Sequence, residues 1–376
     1  MSNPIKLGLV GIGRAGWGMH VSDIEKKPDK YQYVAACDLL PERVQKMVDK
    51  FGCKGYSNID DMLADTDAEI VCIATRSCDH FEHGAKVLKS GKDLLMEKPI
   101  SLTLKQAKDL FDIARAEGRK IYVRHNRRFE SVFNEVKNVI ESGILGNVYE
   151  INISQGSFQH RDDWQTLSEF GGGQLLNWGP HIIDHSLRLL GSPIKNITGE
   201  LKQVTAGGNC EDHVIIHFES EAGRTVNMCI SGGMALRTGR RFSIYGDRGS
   251  MLCGEDGNEK SIKLRYINPE QVIPPVVSSP DTPGAAFGAS GTYASATEID
   301  WVEKEYIAPA EDLSVIWDYM FDSYRNGADY PIKEEEALSV MQAVEAVRTG
   351  TKFDFHKYFK ELGIFQAPFL WPSIKH

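Results

Sequence analysis

Behind the apolar run KLGLV comes the turn Gly11-Ile12-Gly13-Arg14-Ala15-Gly16, and a helix-like pattern follows. That order of strand, glycines and helix constrains the chain more than any other feature. Glycines in this spacing permit a tight turn, and they let backbone amides approach a pyrophosphate at a helix N-terminus. A second strand pattern, YVAACD, ends at Asp38, 22 residues after Gly16. A carboxylate there accepts hydrogen bonds from both hydroxyls of an adenine ribose and repels a 2′-phosphate, so NAD is expected as cofactor ahead of NADP. Arg43, one helical turn further on, leaves some tolerance for NADP.

The same rhythm continues over the first third of the chain. EIVCIAT, KDLLME and KIYVRH read as further strands with helical patterns between them, the signature of a parallel βαβ sheet. Asp79 and Glu82 form a capping-box pattern that predicts a helix over 79–90, with Gly91 in the C-terminal cap position. Thr103 and Gln106 predict the start of another, with Leu104, Ala107, Phe111 and Ala114 on one face and Gly118 at its end. Beyond about residue 125 the period changes to two. Tyr149, Ile151 and Ile153 alternate with Glu150, Asn152 and Ser154, and similar alternation recurs around 226–230, 242–244 and 262–264. The fold class expected is α/β: a Rossmann domain over 1–125, then an α+β domain over 126–376 with an open, mainly antiparallel sheet. The stretch 267–296, rich in Pro, Gly, Ser and Ala, reads as a long loop, followed by helices near 311–326 and 334–348. The last residues carry Phe353, Phe355, Tyr358, Phe359, Phe365, Phe369 and Trp371, too many aromatics for a free tail.

Composition narrows the class of partner. The chain has 376 residues, a net charge of −9 and no basic run, so nucleic acid is not an expected partner. Seven scattered cysteines, none in a CxxC pair, point to a reduced compartment and no zinc cluster. With no leader-like start and no run of 18 apolar residues, a cytoplasmic protein off the membrane is expected. Cys78, His80 and His83 hold metal-ligand residue types, but no third or fourth ligand follows an ordered spacing, and no metal is expected.

Candidate site residues follow from the sheet. Ala74-Thr75-Arg76 and Glu97-Lys98-Pro99 fall at the carboxyl edge, where open α/β sheets bind ligands. Thr75, Arg76, His80, Glu97, Lys98 and Asn126 join Gly11, Ile12, Gly13, Arg14, Ala15, Gly16 and Asp38 as expected contacts to the dinucleotide. Pro99 excludes helical geometry at Lys98, which lets the ammonium project into the cleft. In the loop His160-Arg161-Asp162-Asp163-Trp164-Gln165, Arg161, Asp163 and Trp164 offer hydrogen-bonding groups and an aromatic face suited to a sugar ring. Trp164 and Trp178 serve equally well as packing anchors.

Taken in order, the glycine turn, Glu97-Lys98-Pro99, Asn126-Arg127-Arg128-Phe129 and the segment Gly171-Gly172-Gly173-x-x-x-Asn177-x-Gly179-x-His181-x-x-Asp184 resemble the glucose-fructose oxidoreductase, inositol 2-dehydrogenase and rhizopine-catabolism (Gfo/Idh/MocA) family, over roughly residues 5–350. The resemblance implies a nicotinamide-dependent oxidoreductase acting on one hydroxyl of a sugar, glycoside or cyclitol, working as a homo-oligomer, dimer or tetramer. By position it makes Lys98, Asn177 and His181 the catalytic residues and part of the substrate contact set. Asn177 departs from the family pattern, where an Asp is common. An amide cannot exchange protons at neutral pH, so His181 is the expected base, kept neutral in the first turn of a helix opened by Pro180, with Lys98 stabilising developing alkoxide charge. Asp184 is expected to pair with Arg188, and His185 to be a partly buried or surface helix residue. Two other functions stay open: a glycosidase that oxidises, eliminates, hydrates and re-reduces with tightly held NAD, and a dinucleotide-binding regulator without turnover.

Overall fold

The computed structural model describes residues 3–236, 241–275 and 297–355. Six parallel strands build the first sheet: β1 (Ile5–Val10), β2 (Tyr31–Cys37), β3 (Lys54–Tyr56), β4 (Ile70–Ile73), β5 (Asp93–Met96) and β6 (Ile121–Val123). Their spatial order is β3-β2-β1-β4-β5-β6. The order reverses at β1, so the carboxyl ends of β1 and β4 open the crevice where such sheets take ligands. Every side chain of β4 and β5 is buried, which is why β4 and the Leu94-Leu95-Met96 part of β5 are apolar runs without alternation: helices cover both faces. The short β3, whose Lys54 and Gly55 are exposed, carries no such pattern and is not evident from the sequence.

The second sheet has eight strands, adding β7 (Val148–Gly156), β8 (Ile194–Lys202), β9 (His213–Ser220), β10 (Thr225–Ser231), β11 (Phe242–Gly246), β12 (Gly249–Cys253), β13 (Ser261–Ile267) and β14 (Trp301–Ile307). Their order is β14-β13-β12-β11-β7-β10-β9-β8, antiparallel throughout except for the parallel pair β7 and β10. Ile151, Ile153, Val226, Met228 and Ile230 point inward and are buried, while Asn152 and Asn227 on the opposite face hydrogen-bond across the parallel pair. Period-two alternation is therefore the signature of a sheet covered on one side only.

Several local expectations change. The helix His80–Lys89 is preceded by a 3-10 turn, Ser77–Asp79, and Asp79 makes no capping bond because its carboxylate is drawn to Arg76. Thr103 does cap Leu104–Glu117 by accepting from the Gln106 amide, and Gly118 closes that helix in the left-handed conformation. The later helices are Val315–Asn326 and Glu334–Arg348. The first of them returns to the parallel sheet: Tyr31 donates to the Trp317 carbonyl at 2.5 Å, and Lys27 and Lys30 both reach Asp318. Phe353 and Phe355 are buried, whereas Tyr358, Phe359, Phe365, Phe369 and Trp371, like most of the 267–296 stretch, lie outside the described residues. No helix among the described residues is long and apolar enough to cross a membrane.

Candidate active site

The glycine turn has a different steric reason at each glycine. Gly11 has φ +89°, and a Cβ there would lie 2.7 Å from the Ala74 backbone; a Cβ on Gly16 would lie 2.1 Å from the Gly11 carbonyl oxygen. Those two glycines fold the turn. Gly13 is open, with Arg43 Nη1 at 3.7 Å the nearest atom to such a Cβ, so its bareness serves the approach of a ligand rather than the packing of the protein. Helical turns run from 14 to 24 directly behind it. Asp38 closes the far side. Its Oδ2 accepts from the Ile12 amide at 2.6 Å and its Oδ1 from Leu40 at 3.0 Å, with the Arg43 guanidinium 3.6 Å away. A carboxylate has about four acceptor positions, so two remain for ribose hydroxyls. The residues present thus fit a dinucleotide, which the amides of the turn and the remaining acceptor positions of Asp38 would hold.

At the other half of the crevice, Thr75 Oγ1 lies 3.3 Å from His83 Nδ1, and Arg76 pairs with Asp79 and stacks on Phe170, 4.6 Å from its ring centre. His80 is placed differently from the sequence expectation. It is buried with Nδ1–H donating to the Pro99 carbonyl at 2.6 Å and Nε2 near the Thr75 carbonyl, so it ties two strand ends together instead of presenting a free ring nitrogen. Asn126 is buried at the start of the 3-10 turn Asn126–Phe129 that follows β6. Among the described residues no three His, Cys, Asp or Glu side chains group to hold a metal.

Glu97 does not ion-pair with its neighbour Lys98. It is buried, accepting from Arg124 Nη1 at 2.9 Å and His20 Nε2 at 2.8 Å, and Arg124 extends to Asp23 at 2.8 Å. Burial alone would push the Glu97 carboxyl up, but the Arg124 guanidinium and the His20 hydrogen bond hold it far below the usual carboxylate range. This network was invisible in the sequence, because its members stand at positions 20, 23, 97 and 124. It binds the strand end carrying Lys98 to the helix behind the glycine turn.

Lys98 reaches the segment singled out in the second half of the chain. Its Nζ donates to the Asn177 carbonyl at 3.0 Å and lies 3.4 Å from Asn177 Oδ1. Burial, aided by Arg14 and Arg127, pushes the ammonium down to about 8. His181, in the first turn of Gly179–Leu189, is buried with Nδ1 unpartnered, its ring edge-on to those of Trp178 and His125. Its pKa lies well below the ordinary value, chiefly through burial and then through Lys98 and Arg127. Two expectations are corrected here. Asp184 pairs with Arg128 through both its oxygens, while Arg188 pairs with Glu336, because Arg128 arrives from the turn after β6 and reaches the buried face of the helix first. His185 is fully buried, donating to the Arg127 carbonyl at 2.8 Å and stacking on Phe133.

Beside Asn177 lies a small cavity, with room for little more than a hydroxyl group or a water, lined by Gln159, Arg161, Gln165, Gln174, Asn177 and Asp212 among others. Arg161 is thus brought to the site. Asp163 is exposed and caps the 3-10 turn Trp164–Thr166 while pairing with Arg161; neither it nor half-buried Trp164 lines the cavity. Gln159, Gln165, Gln174 and Asp212 were not singled out from the sequence, although Gln174 stands inside the Gly-Gly-Gly to His segment and its polarity amid buried neighbours was the available signal. Trp178 lies under the Arg127 guanidinium at 4.2 Å, a packing partner as much as a ligand surface.

With this geometry in hand, the chain can be compared with known proteins. Residues 5–125 match the model of an oxidoreductase family with an NAD-binding Rossmann fold, and residues 133–252 match the GFO/IDH/MocA C-terminal domain. An inositol 2-dehydrogenase/D-chiro-inositol 3-dehydrogenase of Lactiplantibacillus plantarum is 31% identical over 302 residues, 79% of this chain and 77% of that one. The scyllo-inositol 2-dehydrogenase (NADP(+)) IolW of Bacillus subtilis is 26% identical over 93% of this chain and 94% of its own. Among solved structures, the WlbA dehydrogenase from Bordetella pertussis, in complex with NADH and UDP-GlcNAcA, superposes with a TM-score of 0.71 at 19% identity, covering 92% of this chain and 95% of that one. The chain is a member of the Gfo/Idh/MocA oxidoreductase family, built from an NAD-binding Rossmann fold and that family's C-terminal domain.

Proposed function

We propose that the protein is an NAD-dependent dehydrogenase acting on a ring hydroxyl of a sugar, glycoside or cyclitol, or on the corresponding ketone in reverse. The observation that carries this reading is Lys98, whose half-buried ammonium at the carboxyl edge of the parallel sheet meets Asn177 and lies near neutral His181. Bound nicotinamide supplies hydride transfer; the residues of the chain supply proton movement and placement. A pKa of about 8 lets Lys98 exist in both protonation states near neutrality, as a proton-transferring group should. As the neutral amine it accepts the substrate hydroxyl proton during oxidation, and as the ammonium it donates to the carbonyl oxygen during reduction. His181, held far below neutrality, is a weak base at pH 7, so the role of base passes from His181 to Lys98. The histidine then serves as a neutral hydrogen-bonding partner at the reacting oxygen. Asn177 steadies the Lys98 head through two oxygens and exchanges no proton.

Asp38 at the end of β2 favours the free ribose of NAD over a 2′-phosphate, and the cyclic polyol ligands in the relatives' names accord with the proposed substrate class. The test is a panel of sugars, cyclitols and glycosides, followed by NADH absorbance with NAD and NADP in parallel. At least one cyclic polyol is oxidised with NAD, and Lys98→Met abolishes that turnover. Undiminished turnover in Lys98→Met, or a clear preference for NADP, contradicts the respective assignment.

A further inference from the structure

We propose that the cavity beside Asn177 recognises an uncharged, hydroxyl-bearing part of the substrate, and that Gln174 is the residue that reads it. This rests on the dehydrogenase reading above and specifies its substrate. The charged groups around the cavity are already engaged. Asp212 accepts from the backbone amides of Val204, Thr205 and Ala206 and from the Thr205 hydroxyl, all at 2.6–2.8 Å. Glu211 accepts from the Leu175 amide at 3.0 Å with the Arg348 guanidinium 3.8 Å away, and Arg161 is held by Asp163 and Gln165. A carboxylate or phosphate entering here would meet the carboxylates of Glu211 and Asp212 in the wall, while the one cation lining it, Arg161, is already paired with Asp163, so like charge disfavours an anion.

Gln174 is the exception among these engaged groups. It lines the cavity, is only 8% exposed, and its buried Oε1 has no hydrogen-bond partner. Buried acceptors are nearly always satisfied, so an orphan in a cavity wall points to a donor that arrives with the ligand. A side-chain amide offers both a donor and an acceptor, and a hydroxyl can answer either. An ionised carboxylate can only accept and leaves the carbonyl unsatisfied. Gln174 also opens the helix Gln174–Asn177, three residues before the side chain that meets Lys98. Residues three apart share a helix face, separated by about one turn of ~5 Å, which matches the span between hydroxyls on opposite sides of one six-membered ring. One hydroxyl then lies at Lys98 while another lies at Gln174.

The test is calorimetric titration of the NADH-saturated protein with myo-inositol, methyl β-D-glucopyranoside, D-glucuronate and the monodeoxy analogues of the best ligand. A neutral polyol binds at least about tenfold tighter than D-glucuronate. Gln174→Leu weakens that polyol about tenfold or more, while leaving the analogue that lacks the recognised hydroxyl nearly unchanged. Gln174→Met, of similar length and volume without the acceptor, guards against a packing artefact and also loses the polyol, with circular dichroism confirming that both variants are folded. Tighter binding of D-glucuronate, unchanged binding in Gln174→Leu, no binding of any neutral polyol, or equal losses for ligand and every deoxy analogue overturns the proposal. Binding that follows Gln174 in a protein that never reduces NAD would instead overturn the dehydrogenase reading and leave Gln174 its role.

Discussion

Two neighbouring glycines should respond oppositely to the same substitution. At Gly11, φ is +89° and an added Cβ would sit 2.7 Å from the Ala74 backbone, with no flexible side chain to give way. The left-handed conformation alone costs roughly 1–2 kcal/mol for alanine, and the clash adds to it, so Gly11→Ala should lose at least about 3 kcal/mol. Gly13 has neither problem: its φ is not positive and its surroundings are open. Gly13→Ala should leave the ligand-free protein unchanged or stabilise it by about 0.4–1 kcal/mol through the unfolded chain. Its cost appears only with the cofactor, because the new methyl occupies the approach of the pyrophosphate. At NADH concentrations of about 100 times Kd the wild-type protein gains about 2.7 kcal/mol by linkage; if the methyl weakens binding about 100-fold, that gain falls to about 0.4 kcal/mol. Urea denaturation with and without NADH measures both numbers. Full NADH stabilisation of Gly13→Ala would refute the placement of the pyrophosphate over this turn.

The buried network and the second domain supply further tests. Glu97→Gln removes the charge opposing Arg124 at 2.9 Å, an attraction of about 6 kcal/mol at an effective dielectric of about 20. Part of this is regained because a neutral amide is cheaper to bury, leaving a net loss of about 3–5 kcal/mol, read from urea midpoints. In the wild type, the lowered Glu97 pKa means that this stability is present above the usual carboxylate range and is lost as pH falls through the folded value; acid unfolding should therefore shift to higher pH in Glu97→Gln. Gly173→Ala places a Cβ 2.2 Å from Glu211 Oε1 at φ +99° and should cost at least about 3 kcal/mol in the same assay, with loss of polyol binding because Gln174 moves with it.

What the sequence disclosed depended on whether the signal was local. The glycine turn, the Thr103 cap and the period-two strands β7 and β10 are statements about neighbouring residues, and each was legible. Apolar β4 and the Leu94-Leu95-Met96 part of β5 were readable because burial on both faces leaves no polar alternation. Strands β3, β8 and β14 are short or largely solvent-facing, so neither period nor hydrophobicity marks them. Asp79 looked like a cap until Arg76, three residues earlier, took its carboxylate. Asp184 had a partner at helical spacing in Arg188, but Arg128, 56 positions away, lies nearer in space. Lys98 was legible from its place at a strand end and from motif order, and His181 from motif order, whereas the roles of Glu97 and His80 were not, since their partners come from other strands and helices. Gln174 stood inside a recognised segment, yet only the fold reveals that its carbonyl is left without a donor.

The central claim is that Lys98 moves the proton, and the pH dependence of kcat/KM for oxidation of the best polyol tests it most directly. Oxidation needs the neutral amine, so the rate should rise with pH through a single inflection near 8, and reduction of the ketone should fall through the same value. An inflection near the ordinary histidine range of about 6.5, or a profile flat from about pH 6.5 to 9.5, would contradict the assignment.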